Sequence, residues 1–310
     1  MAEVPEVAVG ALSAMADRQL VLLDTDIGND IDDAVCLAYL LAQPRCELLG
    51  ITTVTAAPDL RARLASVLCR NAGRDVPIYP GAADPLVGPP VQEPPPQAVV
   101  LDRWEHDASF PTEPAVDFLR RTIRAHPGEV TLLTIGPLTN VALLFAADPA
   151  IPLLLESLVS MGGSYGDQSG EAEWNLHCDP HAAAQVFGAS TFGEPGLVHR
   201  AIGLNVTTRV RMPVDEFLQR CEIPALRPVA DMAQSWFGDR SEVVFHDPLA
   251  AATIFEPDLC TFAAGEVIVD SSPGPVAGST TWRPKPDGRH QIAVDVRPDA
   301  FVEHYFDVVR

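Results

Sequence analysis

The sequence predicts an α/β protein with a mainly parallel sheet that helices cover on both faces. Short apolar, β-branched runs alternate along the chain with longer segments whose apolar residues recur at the helical spacing. This alternation is typical of βαβ crossovers. The chain has 310 residues, of which 47% are hydrophobic, so it can bury a large core. Ligands of such sheets bind beyond the carboxyl ends of the strands, and we expect the functional side chains there.

The individual elements follow from these two periodicities. Strands are predicted at residues 20–23, 47–55, 76–79, 130–134, 158–161 and 291–296. Helices are predicted at residues 32–42, 59–71, 114–125, 138–147, 180–187, 209–226, 230–238 and 300–308. The segment 77–97 is dense in proline and glycine and predicts a long surface loop, either a stiff connection or a flap over the site. Residues 1–17 are expected to form a flexible tail before a domain that spans residues 18–310.

Charge and composition exclude several classes of protein. The chain has 21 basic and 42 acidic residues, a formal net charge of −21, and Lys285 is its only lysine. Nucleic acids and anionic membranes both attract clustered basic residues, so neither is an expected partner. The six cysteines lie far apart, which favours buried free thiols over a zinc cluster or a disulfide framework. Without a basic leader or an apolar run of about 18 residues, the protein is expected to be soluble and cytoplasmic.

Five aspartates lie between the first predicted strand and the first predicted helix: Asp24, Asp26, Asp30, Asp32 and Asp33. Carboxylates this close together repel one another unless a cation or buried hydrogen bonds offset the repulsion. Helix capping would explain one or two of them, but it leaves Asp24 and Asp26 unexplained. Oxygen ligands favour a hard cation, Ca²⁺ or Mg²⁺, so the cluster predicts a metal site.

The same D-x-D pattern after a first strand is also found in dehalogenase-type phosphatases. In that Mg²⁺-dependent chemistry Asp24 would be the nucleophile, and a lysine or arginine would hold the phosphoryl group. Lys285 lies in a proline-rich stretch near the C-terminus, which is a poor position for that role. The alternative is weakened but stays open, because an arginine could substitute.

Polar residues later in the chain add to the cluster. Glu173 and Asn175 are two residues apart and would face the same way on an extended segment. His246 and Asp247 precede a run of small residues with helical spacing. The turn at 136–140 directly follows a predicted strand. Taken singly, each has an ordinary explanation as a core histidine, a helix cap or a simple turn.

Together these segments resemble the inosine–uridine-preferring nucleoside hydrolase family. The matching motifs occur in the family's order: D-T-D-I-G-N-D-I-D-D-A-V at 24–35, I-T-T-V-T at 51–55, I-G-P-L-T-N-V-A at 135–142, M-G-G-S-Y at 161–165, A-E-W-N at 172–175 and F-H-D-P-L-A at 245–250. The resemblance implies a single open α/β domain with a mainly parallel central sheet and helices on both faces. It also implies Ca²⁺-dependent hydrolysis of the N-glycosidic bond of a ribonucleoside, and a homo-oligomer, either a dimer or a tetramer.

The resemblance implies the metal site residue by residue. Asp26, Asp33, Asp247 and the backbone carbonyl of Ile135 would be the metal ligands. Asp26 would also act as the general base toward the attacking water. Asp24 would lie behind the ligands and orient them.

Substrate contacts are implied in the same way. Asp32 would hold ribose hydroxyls, and Glu173 and Asn175 would bind the far side of the sugar. Met161 would line the ribose pocket. His246 would be the acid for the leaving group or a residue that binds the nucleobase.

The chain departs from the family pattern at several positions. Ala56-Ala57 stands where the family commonly has Gly-Asn, and the loop 166–170 lacks an expected asparagine. His106 lies in a segment that replaces a familiar His-Gly motif, and the lengthened first motif adds Asp30, which we interpret as a helix cap. The metal half of the site therefore looks intact, whereas sugar and base recognition look altered. A catalytically weak, ribose-binding member of the family is thus a further alternative.

Overall fold

The protein is a sheet with helices on both faces. A computed structural model describes residues 18–166, 172–189, 196–238 and 240–310. The strands are β1 (Gln19–Thr25), β2 (Cys46–Thr53), β3 (Ile78–Pro80), β4 (Val130–Thr134), β5 (Leu155–Met161), β6 (His199–Ile202), β7 (Arg211–Pro213), β8 (Glu242–Val244), β9 (Cys260–Val269), β10 (Thr280–Pro284) and β11 (His290–Val296). The α-helices are α1 (Asp32–Ala42), α2 (Pro58–Asn71), α3 (Ala115–Ala125), α4 (Thr139–Ala147), α5 (Trp174–Cys178), α6 (Pro180–Ala189), α7 (Leu204–Thr207), α8 (Val214–Arg220), α9 (Arg227–Ala233), α10 (His246–Phe255) and α11 (Pro298–Val309). The expected tail at residues 1–17 lies outside the described residues, and the domain boundary at 18 stays a prediction.

The central sheet has nine strands within the described residues, in the order β10-β9-β11-β6-β5-β4-β1-β2-β3. The strands from β11 to β3 are all parallel to their neighbours, whereas β9 runs antiparallel to both β11 and β10. Strands β7 and β8 form a separate antiparallel pair. The prediction of an open, mainly parallel sheet is confirmed.

The position of β1 in the sheet decides where a ligand can bind. From β1 the chain proceeds to β2 and β3 on one side and then returns to β4 on the other side of β1. This reversal leaves a crevice beyond the carboxyl ends of β1 and β4, which is where ligands bind in open α/β sheets. The aspartate cluster after β1 and the turn after β4 therefore meet at one edge of the sheet.

Two apolar cores lie on opposite faces of the sheet. Helices α1, α2, α10 and α11 cover one face, and α3, α4 and α6 cover the other. Residues of β1 alternate between the two cores: Val21 and Leu23 pack on the first face and Leu22 on the second. Burial on both faces is the reason that this strand is continuously apolar in sequence.

Most predicted elements are present with ends shifted by a few residues, but the helix predicted over 209–226 is wrong. That segment contains β7, helix α8 and a 3₁₀ turn, Pro224–Leu226. Pro213 and Pro224 interrupt the helical pattern, because proline cannot donate an intrahelical hydrogen bond. The edge strand β10 and its neighbour β9 were not predicted. Gly265 and Glu266 divide the apolar residues of β9, and β10 is mostly polar and exposed.

Two expectations from composition can be compared with the structure. All six cysteines, each within the described residues, are buried and free of disulfides, as predicted. Among the described helices, none is long and apolar enough to cross a membrane.

Candidate active site

A cavity of about 650 Å³ opens at the carboxyl edge of β1, β4 and β5. Nine of the residues that the sequence singled out line this cavity: Asp26, Asp32, Asp33, Ile135, Met161, Glu173, Asn175, His246 and Asp247. They come from segments up to about two hundred residues apart in the chain, and the topology brings them together. Asp24 is the exception, since it lies fully buried beneath the cavity rather than on its wall.

Three of the carboxylates form a tight group. Asp32 and Asp33 lie in the first turn of α1, Asp247 lies in the first turn of α10, and each places an oxygen within 4.8 Å of the others. Burial raises the pKa of all three well above the usual value, and repulsion from neighbouring aspartates, Asp26 and Asp30 included, raises it further. Buried, mutually repelling oxygen donors fit a hard divalent cation, which would relieve the repulsion. Asp26, a predicted ligand, is not in this tightest group, whereas Asp32, predicted to hold the sugar, is.

Asp26 lies beside that group, and both of its carboxylate oxygens are closely packed. Oδ2 accepts a hydrogen bond of 2.7 Å from the side-chain amide of Gln92. Oδ1 lies against Gly136, where a β-carbon would come within 2.7 Å of it. Burial raises the pKa of Asp26, and the nearby Arg61 guanidinium opposes that rise. The turn after β4 therefore needs glycine for a spatial reason, because any side chain there would displace Asp26.

Asp24 supports the site from behind. Its Oδ1 accepts hydrogen bonds from the Thr52 hydroxyl at 2.5 Å and the Asn140 amide at 2.8 Å, which link β1 to β2 and α4. Burial raises the pKa of Asp24 to about 7. Since Asp24 has no exposed surface, it cannot attack a phosphoryl group in this conformation.

The phosphatase alternative is not favoured for a second reason. Its candidate cation, Lys285, lies at the surface and pairs with Glu266 at 2.5 Å. Neither residue lines the cavity.

Arg61 is a functional candidate that the sequence reasoning missed. Its side chain is fully buried and donates to Asn29 Oδ1 and to five backbone carbonyls, those of Asp26, Ile27, Thr55, Ala56 and Glu93. One guanidinium thus ties together the loops that follow β1 and β2 and the proline-rich loop. A signal was present, because Arg61 lies on the same helical stripe as the buried residues Leu64, Ala65 and Leu68.

Two strained residues lie in the loop that Arg61 contacts. Thr55 and Ala57 both have a φ of 60°, in the left-handed region that residues with a β-carbon seldom occupy. Thr55 presents its carbonyl to Arg61. Ala57 stands where the family commonly has the asparagine of its Gly-Asn pair, a residue type that tolerates this backbone conformation. Ala57 does not line the cavity, so alanine in place of the family's asparagine removes a polar side chain without supplying another.

The proline-rich loop forms part of the cavity wall. Val91, Gln92 and Glu93 line the cavity. Farther along, the Gln97 amide donates to the backbone carbonyl of Asp30 at 2.7 Å. These contacts support the interpretation of residues 77–97 as a covering segment over that of a stiff connection.

Glu173 and Asn175 reach the cavity, but not from an extended segment as predicted. Glu173 is the N-cap of α5, and its carboxylate accepts the backbone N–H groups of Asn175, Leu176 and Gly163. The last of these bonds depends on a φ of 82° at Gly163, which glycine adopts without strain. Burial raises the pKa of Glu173 to about 7.

The Asn175 amide fixes two neighbouring strand ends. It donates to the carbonyl oxygens of Ile135 at 3.1 Å and Met161 at 3.3 Å. Ile135 follows β4 and Met161 ends β5, so Asn175 holds together the two backbones that form the floor of the cavity.

His246 begins α10, and its Nδ1 lies 2.7 Å from the Thr207 hydroxyl. Burial lowers the pKa of His246 to about 4, and Arg211 contributes to the decrease. The ring is therefore neutral near pH 7. Around the opening, Trp174 and Val91 are half-exposed, with 51% and 49% of their surface accessible, and both line the cavity.

Three remaining positions singled out by the sequence are Asp30, His106 and the loop at 166–170. Asp30 is not the N-cap of α1, which is Ile31; the Asp30 carboxylate accepts the Ile31 N–H at 2.6 Å and lines the cavity. His106 bonds to the carbonyl of Trp104 and is not among the residues that line the cavity. Most of the loop at 166–170 lies outside the described residues.

Comparison with known proteins identifies relatives of this chain. The chain is 30% identical over 280 residues to Uridine nucleosidase 1 of Arabidopsis thaliana, and the matched region covers 83% of this chain and 80% of the relative. It is 34% identical over 278 residues to the non-specific ribonucleoside hydrolase RihC of Salmonella paratyphi A, where the matched region covers 84% of this chain and 86% of the relative. Among solved structures, the fold matches a purine-preferring ribonucleoside hydrolase from Gardnerella vaginalis with a TM-score of 0.80 at 23% identity, over 94% of this chain and 98% of that one.

These findings define the class as an enzyme that hydrolyses the N-glycosidic bond of ribonucleosides. The family model described as "Inosine-uridine preferring nucleoside hydrolase" matches residues 21–303. The chain belongs to that family.

Proposed function

We propose that this enzyme is a Ca²⁺-dependent ribonucleoside hydrolase that releases ribose and a free base from the cavity described above. The proposal is carried by one observation: three buried carboxylates, those of Asp32, Asp33 and Asp247, converge within 4.8 Å. The cost of burying three like charges makes sense if a cation offsets it.

The metal would be held by Asp26, Asp33, Asp247 and the Ile135 carbonyl, and the geometry adds Asp32 as a neighbour of this set. These are all oxygen donors, which favour Ca²⁺ over softer metals. When bound, the ion would supply a positive centre for the vicinal hydroxyls of ribose and for the attacking water.

Asp26 would be the general base. It lies at the end of β1 with its carboxylate fixed by Gln92 and by contact with Gly136, so its oxygens are held in one orientation. A held base removes the water proton without a reorganisation cost at the moment of reaction. A Ca²⁺-bound water stays weakly acidic, and a carboxylate base is therefore needed.

Glu173, Asn175 and Asp32 would bind the sugar. Cleavage of the ribosyl C–N bond develops positive charge on the ring, and the buried carboxylates would stabilise that charge. Met161 would pack against the ribose.

The nucleobase would leave toward the half-exposed rim formed by Trp174 and Val91. His246 would contact the departing base. Because its ring is neutral near pH 7, it would assist as a hydrogen-bond donor from the nitrogen that does not face Thr207. The test of this role is given in the Discussion.

A second candidate function is weak catalysis with retained ribose binding. The observation in its favour is that Ala57 offers no polar atom where the family commonly has asparagine. By resemblance to the family we also propose a homo-oligomer located in the cytoplasm, which light scattering and cell fractionation test.

The deciding experiment is a reducing-sugar assay over a panel of purine and pyrimidine ribonucleosides. The protein is treated with chelator and assayed with Ca²⁺, with Mg²⁺ and without metal. Ribose release that disappears with chelator and returns with Ca²⁺ supports the proposal. No release from any nucleoside, together with calorimetric binding of ribose, would favour the second candidate. Activity that survives chelation would refute the metal dependence.

A further inference from the structure

The side-chain amide of Gln92 is a polar group in the cavity that none of the assigned roles uses. Gln92 is 6% exposed and lines the cavity from the proline-rich loop. Its Nε2 donates to Asp26 Oδ2 at 2.7 Å. Its Oε1 is buried and has no hydrogen-bond partner among the described residues.

The orientation of this amide follows from chemistry. A carboxylate accepts hydrogen bonds and cannot donate one, so the NH₂ group must face Asp26 and the carbonyl must face elsewhere. An amide carbonyl buried without a partner costs free energy that is recovered once a donor binds. A donor supplied by the substrate would recover it only in the complex.

A sugar hydroxyl is the donor that the position favours. If Asp26 holds the water that attacks C1′, the nearest sugar hydroxyl is the one on the adjacent carbon, C2′. Building on the function proposed above, we propose that Gln92 is a specificity-determining residue whose carbonyl accepts a hydrogen bond from the 2′-hydroxyl of the substrate, while its NH₂ group orients Asp26.

Two variants separate this role from a structural one. Gln92→Met preserves the length of the side chain and removes both polar atoms. Gln97→Met is the matched control, because Gln97 is a fully buried amide of the same loop that bonds to a backbone carbonyl and does not line the cavity.

The measurement is kcat/KM of the Ca²⁺-loaded protein on a ribonucleoside and on its 2′-deoxy and 3′-deoxy analogues. For Gln92→Met we expect a loss on the ribonucleoside and the 3′-deoxy analogue at least about tenfold larger than the loss on the 2′-deoxy analogue. Gln97→Met should change all three substrates by the same factor. Equal losses for Gln92→Met on all three substrates would mean that its carbonyl makes no hydrogen bond to the 2′-hydroxyl. That result would overturn the proposal. A loss confined to substrates that carry the 3′-hydroxyl would overturn it as well.

Calorimetry gives a readout that does not depend on turnover. Wild-type protein with Ca²⁺ should bind ribose more tightly than 2-deoxyribose, and Gln92→Met should reduce that ratio by at least about fivefold. An unchanged ratio refutes the role of Gln92. If the wild-type protein binds ribose but releases no sugar from any nucleoside, the proposed function fails while the role of Gln92 is still decided by this ratio.

Discussion

Asp24 and Asp26 show how surroundings give two identical side chains different properties. They are two residues apart at the end of β1. Asp24 points into the protein, where Thr52 and Asn140 hold one of its oxygens, and has no accessible surface. Asp26 lines the cavity and is held by Gln92. Only Asp26 can touch a substrate or water, so a first prediction concerns this residue.

Asp26→Asn should reduce turnover by at least about a hundredfold, because it removes the proposed base and a charged ligand while it preserves the shape of the side chain. Steady-state kinetics on the best nucleoside of the panel measures the change. Asp75→Asn makes the same chemical change at an exposed position away from the cavity and should leave turnover unaltered. Wild-type turnover of Asp26→Asn would remove this residue from the mechanism.

His246 leads to a second prediction. His246→Ala should slow the hydrolysis of nucleosides, whose bases are poor leaving groups, more than that of nitrophenyl ribosides, whose nitrophenolate leaves without assistance. We expect the rate loss on nucleosides to be about tenfold larger or more. Rates on both substrate types give the answer. If both rates fall by the same factor, His246 only packs against the site.

The turns that follow β4 and β5 shape the site through backbone rather than side-chain chemistry. The first turn brings Gly136 against Asp26, and the second brings the N–H of Gly163 to the Glu173 carboxylate. The loop after β2 is held differently, because the fully buried Arg61 side chain donates to the carbonyls of Thr55 and Ala56 in this loop. Removing Arg61 would leave several buried carbonyls without donors, so this side chain maintains the loops as a unit.

Gly136→Ala tests the first turn. Its β-carbon would lie 2.7 Å from Asp26 Oδ1 and 3.0 Å from the Val54 side chain, so Asp26 must move. We expect turnover to fall at least about tenfold and the free energy of unfolding to drop by about 1–3 kcal/mol. Kinetics and denaturant unfolding measure the two effects.

Gly188→Ala is the control for that prediction. It makes the same change within helix α6, where the added β-carbon meets nothing within 4 Å. Turnover should be unaltered, and stability should be unchanged or raised by up to about 1 kcal/mol. If Gly136→Ala matched this control in turnover, the close approach to Asp26 would have no catalytic consequence.

Across the whole molecule, the fold concentrates buried acid at one edge of the sheet. Burial raises the pKa of Asp32, Asp33 and Asp247 well above the usual value, and of Asp24 and Glu173 to about 7. A carboxyl whose pKa is higher in the folded protein than in the unfolded chain stabilises the fold fully below the unfolded value, and this stability is lost as pH rises through the folded value. Metal-free protein should therefore become less stable with rising pH across neutrality.

We expect chelator-treated protein to melt at a lower temperature at about pH 8 than at about pH 7, a window above the pKa of about 6.5 at which histidines titrate in the unfolded chain. Ca²⁺ should raise the melting temperature, and more at the higher pH, because the carboxylates are then charged. A ligand at a hundred times its dissociation constant stabilises by about 2.7 kcal/mol. Differential scanning calorimetry measures the shift.

Asp247→Asn is the control, because it removes one of the three grouped carboxylates. It should reduce both the pH dependence and the Ca²⁺-induced shift. Stability that is independent of Ca²⁺ in the wild-type protein would contradict a metal site at this edge of the sheet.

The amino-acid pattern predicted the alternation of strands and helices and the location of the acid cluster, because burial on both faces makes parallel strands continuously apolar and the cluster interrupts that pattern. The motif resemblance supplied the family and nine of the residues that line the cavity. The local sequence pattern did not predict the partly exposed antiparallel strands β9 and β10, because they lack a long apolar run. It also predicted a single helix over 209–226, which prolines divide.

Only the tertiary structure revealed the contacts made by Gln92 and Arg61 and the position of Gly136 against Asp26. Gln92 lies 66 positions from Asp26, and Arg61 lies 35 positions from it. Hydrogen bonds and packing between such distant segments depend on how the chain folds back on the sheet, and a linear pattern of residue types carries no signal for them.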